Sequence, residues 1–467
     1  MENKERTDLI TSEQTDFKRE ISLFGGVSII GGIMIGSGIF LIGSYVLYYT
    51  KMSEGFSLLA WIIGGIVSLL GGLCFAEMGA AMPRAGGMLF YLNEAYHPMV
   101  GFLDGFSAFF LTCPGSNAGL AIMIPTILKT FIPGMTNLEM KLIAIAVIIL
   151  LTIYNILGIR QGMILQNWSM AIKLIPIFII MIASLILGKE TPNLTLAPTA
   201  GTPTNFSAVF SMIALGIVAS LWAYEGWTNL NTVAEEIKNP RKNLPLALII
   251  TIGGITLLYT LFNYSIFRVL PLDKMQQLMD AGNWTFGAEA AKATLGNAGG
   301  ILVSISMLIC VFNSLNGCII AFPRAFYAMS KEGHFFPAFK ELHPKYKTPY
   351  WAMIAQCVLS IVLLLLRDLK DLTQLVVFNG MVFNLLTVIA VIVMRKKYPN
   401  INRPFKMWGY PYTVILTAIL FAGLVVNSLL SKESRINALY GIGVIIIGVF
   451  CYFIFDKMMK KEKTEQK

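Results

Sequence analysis

The feature that most constrains this chain is a succession of twelve apolar runs suited to crossing a bilayer. They lie at roughly 22–48, 56–80, 99–131, 142–158, 163–188 and 206–233, then at 245–270, 299–328, 350–366, 373–394, 408–430 and 438–456. Lipid offers no partner to a backbone N–H or carbonyl, so each run must satisfy its own hydrogen bonds and is expected to be helical. The expected fold class is therefore all-α, a polytopic membrane protein of twelve transmembrane helices. Of the 467 residues 56% are hydrophobic and only 13% charged, which argues against an ordinary soluble enzyme. The first twenty residues are polar and charged, so no cleavable leader is expected.

A formal net charge of +10 could point to nucleic acid, but its distribution says otherwise. With the N-terminus placed inside, 24 of the 36 Lys and Arg fall in cytoplasmic segments, 11 fall outside and Lys173 lies within a run. That is the positive-inside bias, and it predicts an inner (plasma) membrane protein with both termini cytoplasmic and no nucleic-acid partner. All six cysteines lie in apolar runs, with no CxxC and no histidine at metal spacing. His97, His334 and His343 fall in predicted cytoplasmic loops. No catalytic residues, metal site or cofactor are expected.

Interruptions of the apolar runs carry the functional signal. The first run contains Gly-Gly-Ile-Met-Ile-Gly-Ser-Gly-Ile-Phe (31–40), and glycines at this density disfavour a continuous helix. A break there would expose carbonyls at one half-helix end and N–H groups at the other, suiting the ammonium and carboxylate of a zwitterion. Close helix packing is the alternative use of such small residues. The fifth run contains Lys173, ten residues beyond Met163 and so near mid-bilayer, where a charge costs about 2.5–3.5 kcal/mol and needs a reason. The sixth run is interrupted by Glu225-Gly226 among Trp222, Tyr224 and Trp227. Interrupted first and sixth runs are the pattern of a five-plus-five inverted repeat with the site between the halves. The expected organisation is a tail at 1–20, repeats at 21–188 and 206–396, a pair of scaffolding or dimerising runs at 408–456, and a tail at 457–467.

Lesser features follow. Glu77, near the end of the second run, is expected to pair with a loop cation. Pro114-Gly115-Ser116 should bend the third run. Residues 271–298 should form an outer loop with a helix able to act as a lid. Asn313, Ser314, Asn316 and Gly317 suit a bundle interior, and the tail 1–20 is expected to be mobile.

Several of these stretches together resemble the amino acid–polyamine–organocation superfamily, and within it the L-type amino acid transporter branch. The matching stretches are Gly-Ser-Gly-Ile-Phe (36–40), the end of the second run at 74–87, Lys173, the block 222–247 and the segment 316–334. The resemblance implies a LeuT-type fold and sodium-independent exchange of L-amino acids by alternating access. It implies a substrate site on Ile33, Gly36, Ser37 and Gly38, with the carboxylate on Ser37 and Gly38, and on Trp222, Ala223, Tyr224 and Glu225 for the ammonium and side chain. Lys173 would stand in place of a sodium ion, with partners near Gly36 and at Ser314. Animal members join a heavy chain through a cysteine between the third and fourth runs. Segment 132–141 has none, so a stand-alone bacterial member is expected, monomeric or homodimeric, with no disulfide-linked heavy chain. The bulk of Trp222 favours alanine, serine and threonine as substrates. The acidic Glu225 keeps cationic amino acids open, and a non-transporting amino-acid sensor is a further reading. A channel would need a continuous polar pore, for which the runs are too apolar.

Overall fold

The computed structural model describes residues 10–12, 15–36, 38–129, 131–132, 134–199, 201–202, 204–281, 283–333, 335–366, 369–430 and 435–465. Ser37 and His334 lie outside the described residues. Among the described residues ten helices are long and apolar enough to cross a membrane, and one bent pair makes an eleventh span. The ninth run forms a shorter apolar helix, Tyr350–Leu366. A polytopic all-helical bundle is the architecture, with a single bridge between Ile21 and Ile237 its only β-type pairing among the described residues.

The first run is split into α1 (Leu23–Met34) and α2 (Gly38–Tyr49), whose axes differ by 53°. Then come α3 (Glu54–Ala81), the short α4 (Met88–Ala95) and α5 (Pro98–Leu128). Next are α6 (Asn137–Ile156), α7 (Ile159–Leu187), α8 (Phe206–Ala223), the single turn α9 (Asn229–Thr232) and α10 (Pro240–Phe267). Two short helices, α11 (Leu272–Asp280) and α12 (Phe286–Leu295), occupy the segment expected to form an outer loop. The chain ends with α13 (Asn297–Ala321), α14 (Pro323–Lys331), α15 (Tyr350–Leu366), α16 (Leu369–Lys397), α17 (Tyr412–Leu430) and α18 (Arg435–Glu465).

Helix ends follow their sequences. The Ser22 hydroxyl caps α1 by accepting from Gly25 N at 3.1 Å, and Thr136 with Glu139 forms a capping box on α6. Ahead of Pro114, where a bend was expected, the helix carries a π turn at Ala108–Thr112. Pro114 has no N–H and its ring crowds the carbonyl of Phe110, and a wider preceding turn relieves both.

Packing pairs the early runs with later ones. Helix α2 packs on α8, α3 on α10, α5 on α13 and α6 on α15, so each of the first four runs meets the run five places on. The largest buried side chains centre on Trp61, Tyr224 and Tyr259, whose rings meet at 5.3–5.9 Å. Outer faces of α8, α17 and α18 stay apolar and exposed, as a lipid-facing surface must.

The described part of the N-terminal tail is held rather than mobile. Ile21 N donates to Glu236 O at 3.0 Å and Lys238 N donates to Ile21 O at 2.8 Å. The Thr15 hydroxyl donates to Glu235 at 2.8 Å, Phe17 packs edge-on against Tyr327, and Asp16 pairs with Lys331 at 2.6 Å. Hydropathy alone missed this because the partners lie more than 200 residues away. The Lys331 ammonium beside Asp16 holds its carboxyl below the usual carboxylate range.

Candidate functional site

Helix α1 stops at Met34, and Ile35 leaves helical geometry at φ −79° and ψ 80°. Beyond Gly31, whose carbonyl accepts from Ile35 N at 3.0 Å, the last-turn carbonyls run out of helical donors, and side chains from three other helices contribute. Lys173 Nζ donates to the carbonyls of Gly31, Gly32 and Ile35 at 3.0, 2.9 and 2.7 Å. The Ser314 hydroxyl donates to Gly32 O at 2.7 Å. The Tyr259 hydroxyl lies 2.8 Å from Met34 O and 3.2 Å from Ala223 O, bridging both breaks. The carbonyls that Lys173 meets belong to Gly31, Gly32 and Ile35, the last beside Gly36, and Ser314 shares the Gly32 acceptor with it.

Behind this break a chain of amides fixes α1 to α7 and α13. Gln166 donates to Ser28 O at 3.0 Å, Asn316 donates to Gln166 Oε1 at 2.7 Å, and Asn313 donates to Ser169 Oγ at 2.7 Å. Asn313 and Asn316, with Ser314, are polar residues of the eighth run, and they do face the interior. A side chain at Gly32 would have its Cβ 1.9 Å from Gln166 Nε2, so only glycine lets α7 approach this closely.

The sixth run breaks where expected. Helix α8 ends at Ala223, residues 224–228 turn, and Gly226 sits at φ +118°. A Cβ there would meet Ile33 Cγ2 at 2.5 Å, so both conformation and space demand glycine. A cavity of about 310 Å³ opens between the two breaks. Of the predicted site residues it brings together Ile33, Gly36, Gly38, Trp222, Ala223, Glu225 and Ser314. Tyr224 faces away, its hydroxyl donating to Trp61 O at 2.9 Å. Lys173 is fully buried behind the first break and does not line the cavity.

The cavity continues toward the end of the bundle that carries the N-terminal segment, past Gly86, Thr232 and Ala325. Two further contributors were passed over in the sequence. Asp104 reaches it from α5 and Asn384 from α16. An acidic residue between Gly101 and Gly105, inside an apolar run, was the available signal for the first. At the same end of the bundle the other carboxylates are paired. Glu77 accepts from Arg395 at 2.8 and 2.6 Å, and Glu236 accepts from Arg324 at 2.6 and 3.2 Å. The expectation was a loop cation: the close partner, Arg395, instead ends helix α16, while Arg403 of the following loop stands 3.6 Å from Glu77.

A break lined by buried cation, carbonyls and a zwitterion-sized cavity is a permease-like arrangement, and the sequence profile of the amino acid permease family matches residues 21–452. The chain belongs to the amino acid permease family. It is similar to the serine/threonine exchanger SteT of Bacillus subtilis, at 30% identity over 97% of this chain and 100% of that one. It is also similar to the human cystine/glutamate transporter, at 31% identity over 97% of this chain and 88% of the relative. The human b(0,+)-type amino acid transporter 1 is 30% identical, with 94% of this chain and 88% of the relative covered. This member of the family is a multi-pass membrane protein, and the family consists of permeases rather than enzymes.

Proposed function

We propose that this permease is a sodium-independent exchanger of L-amino acids, working by alternating access about the two breaks. The observation that carries the reading is Lys173: its ammonium already occupies the carbonyl cluster at the end of α1, where a coupling cation would otherwise be needed. The substrate carboxylate goes to the N–H groups that open α2, with Ser37 and Gly38 closest, because the positive end of a helix favours an anion. The ammonium goes to the end of α8 near Glu225. Trp222 beside Gly38 narrows the space for a side chain, so alanine, serine and threonine are the favoured substrates. A second reading, acceptance of cationic amino acids, is favoured by Glu225, which has no ion-pair partner among the described residues.

The pairing of each early run with the run five places on supports repeats at 21–188 and 206–396 in a twelve-helix LeuT-type fold. With both termini cytoplasmic, the N-terminal segment covers the inner face. Segment 132–141 carries no cysteine, so the permease works without a disulfide-linked heavy chain, as a monomer or homodimer. Counterflow in proteoliposomes tests the proposal. Saturable uptake of labelled alanine should require an amino acid inside the vesicle and persist when Na⁺ is replaced by choline. Uptake that is steeply sodium-dependent, or binding without any flux, overturns it, the latter in favour of a sensor.

A further inference from the structure

Two carboxylates line the cavity, Asp104 and Glu225, with no Lys, Arg or His beside them. They stand at different levels. Glu225 belongs to the second break, next to the glycine that meets Ile33. Asp104 lies toward the end of the bundle that carries the N-terminal segment: its neighbour Gly105 packs so closely on Leu89 of α4 and Met329 of α14 that no Cβ would fit. Asp104 is only 7% exposed and has neither a hydrogen-bond nor an ion-pair partner among the described residues. Its carboxylate oxygens are not among the sealed polar atoms of the interior, so they remain reachable from the cavity.

The charges around this turn of α5 are all engaged elsewhere. It packs against α4, α14 and α18. On α4, Tyr91 is bonded to Asn231 and Glu94 to Tyr398. On α14, Arg324 pairs with Glu236, and Tyr327 and Lys331 meet Asp16. On α18, Tyr452 sets its ring against Phe102 and His97, and Asp456 and Lys457 lie a turn beyond it, toward the start of α5 and away from Asp104. Helix α16 lines the cavity with no charged group, and the thiols of Cys113 and Cys318 offer no positive charge. No cation of the chain therefore offsets Asp104.

A neutral amino acid cannot offset it either, since a zwitterion brings no net charge. In alternating access the end nearest Asp104 must close while the other opens, and closure removes the water that reaches the carboxylate. An ionised carboxylate stranded there without a counter-charge is costly, and a proton is the smallest ligand that removes the cost. We propose that Asp104 is a proton-binding site: a proton from the cytoplasm must neutralise it before the inner end of the cavity closes, so cytoplasmic pH sets the rate of exchange. The proton returns to the same side when that end reopens, so none crosses the membrane and exchange stays electroneutral. A divalent metal is a poor occupant, because no group of three acidic, His or Cys residues able to hold one occurs among the described residues. The inference rests on the exchanger reading and its cytoplasmic placing of the N-terminal segment, and it adds a control on the rate.

Alanine counterflow in membrane vesicles of both orientations, from cells producing the full chain, tests it. In inside-out vesicles the medium stands for the cytoplasm. Lowering it from about pH 8.5 to about pH 5.5, a range in which free alanine stays a zwitterion, should speed exchange about tenfold or more. Right-side-out vesicles should barely respond. Asp104→Asn, neutral at every pH, should stay near the fast wild-type rate and lose the response, whereas Asp104→Glu and Glu225→Gln should keep it. If Asp104→Asn fails to fold, carbodiimide labelling of the wild type decides. The reagent adds to protonated carboxyl groups, so mass spectrometry should find an adduct on Asp104 that fades as the medium of inside-out vesicles turns alkaline. No adduct on Asp104 in acid overturns the proposal. So does a response that survives in Asp104→Asn, disappears in Glu225→Gln or appears in right-side-out vesicles, and so does net proton movement with alanine. Intact counterflow with a flat pH profile overturns this proposal alone, whereas no counterflow at any pH removes the exchanger reading as well.

Discussion

The two interruptions of the bundle are finished in opposite ways. At the first break the loose carbonyls of α1 are taken by Lys173, Ser314 and Tyr259, donors from three different helices. The second break closes largely on itself, with Asn229 donating to Gly226 O at 3.1 Å and Gly226 turning the chain. Its acid, Glu225, lines the cavity without a counter-ion among the described residues. One break is therefore anchored by charge already present in the chain, and in the proposed function the other receives charge with the substrate.

Lys173→Ala should break that contrast most severely. The Ile35 carbonyl loses its donor in the interior, where an unmet group costs about 1–3 kcal/mol, so uptake at equal surface expression should fall by up to about a hundredfold. Near-normal uptake would mean the first break needs no anchor. Gly38→Val attacks the open side of the same break. The new Cβ would lie 3.3 Å from Trp222 Cζ3 and 3.6 Å from Ala223 Cβ, and overpacking of about 1–3 kcal/mol should cost tenfold or more in alanine affinity. Membrane insertion should be normal, and retained affinity would move the carboxylate elsewhere.

Glu225→Gln sharpens the other half of the contrast. Competition by arginine should weaken about tenfold while alanine changes little, since a neutral amide keeps the shape and loses the charge. Equal effects on both would make Glu225 a group for the shared α-ammonium. Tyr259→Phe removes the hydroxyl common to both breaks and should slow exchange about fivefold, the value of one hydrogen bond near 1 kcal/mol. The smallest effect belongs to Asp16→Asn, an exposed pair worth less than about 0.5 kcal/mol. Since pairing lowers the Asp16 pKa, its contribution is present above the ordinary carboxylate range and fades as pH falls through the lowered value. Melting curves at neutral pH should therefore differ slightly between variant and wild type, and the difference should vanish in acid.

Much of this was legible because membranes punish exceptions. A lone lysine or a Glu-Gly pair inside an apolar run stands out, and Lys173, Gly226 and Glu225 were readable for that reason. What sequence could not supply was rotation about each helix axis. Tyr224 and Glu225 are neighbours, yet one faces Trp61 and the other the cavity, a difference decided by the packing of α3 and α10 on the break. Asp104 and Asn384 could not be brought to one cavity from sequence, since they lie 280 residues apart on different helices. The docking of residues 15–21 was hidden likewise, since polar sequence gives no sign of a distant polar partner.

The Tyr259 hydroxyl has one proton and two carbonyls within reach, Met34 O on one break and Ala223 O on the other. It therefore behaves as a swivel pin rather than a clamp. In the alternating access proposed above, where the half-helices turn against each other, the proton can shift its weight from one oxygen to the other. The more distant oxygen is never far from a donor, so the swing crosses no high ridge. A residue that never touches the transported molecule would thus set how freely the joint turns.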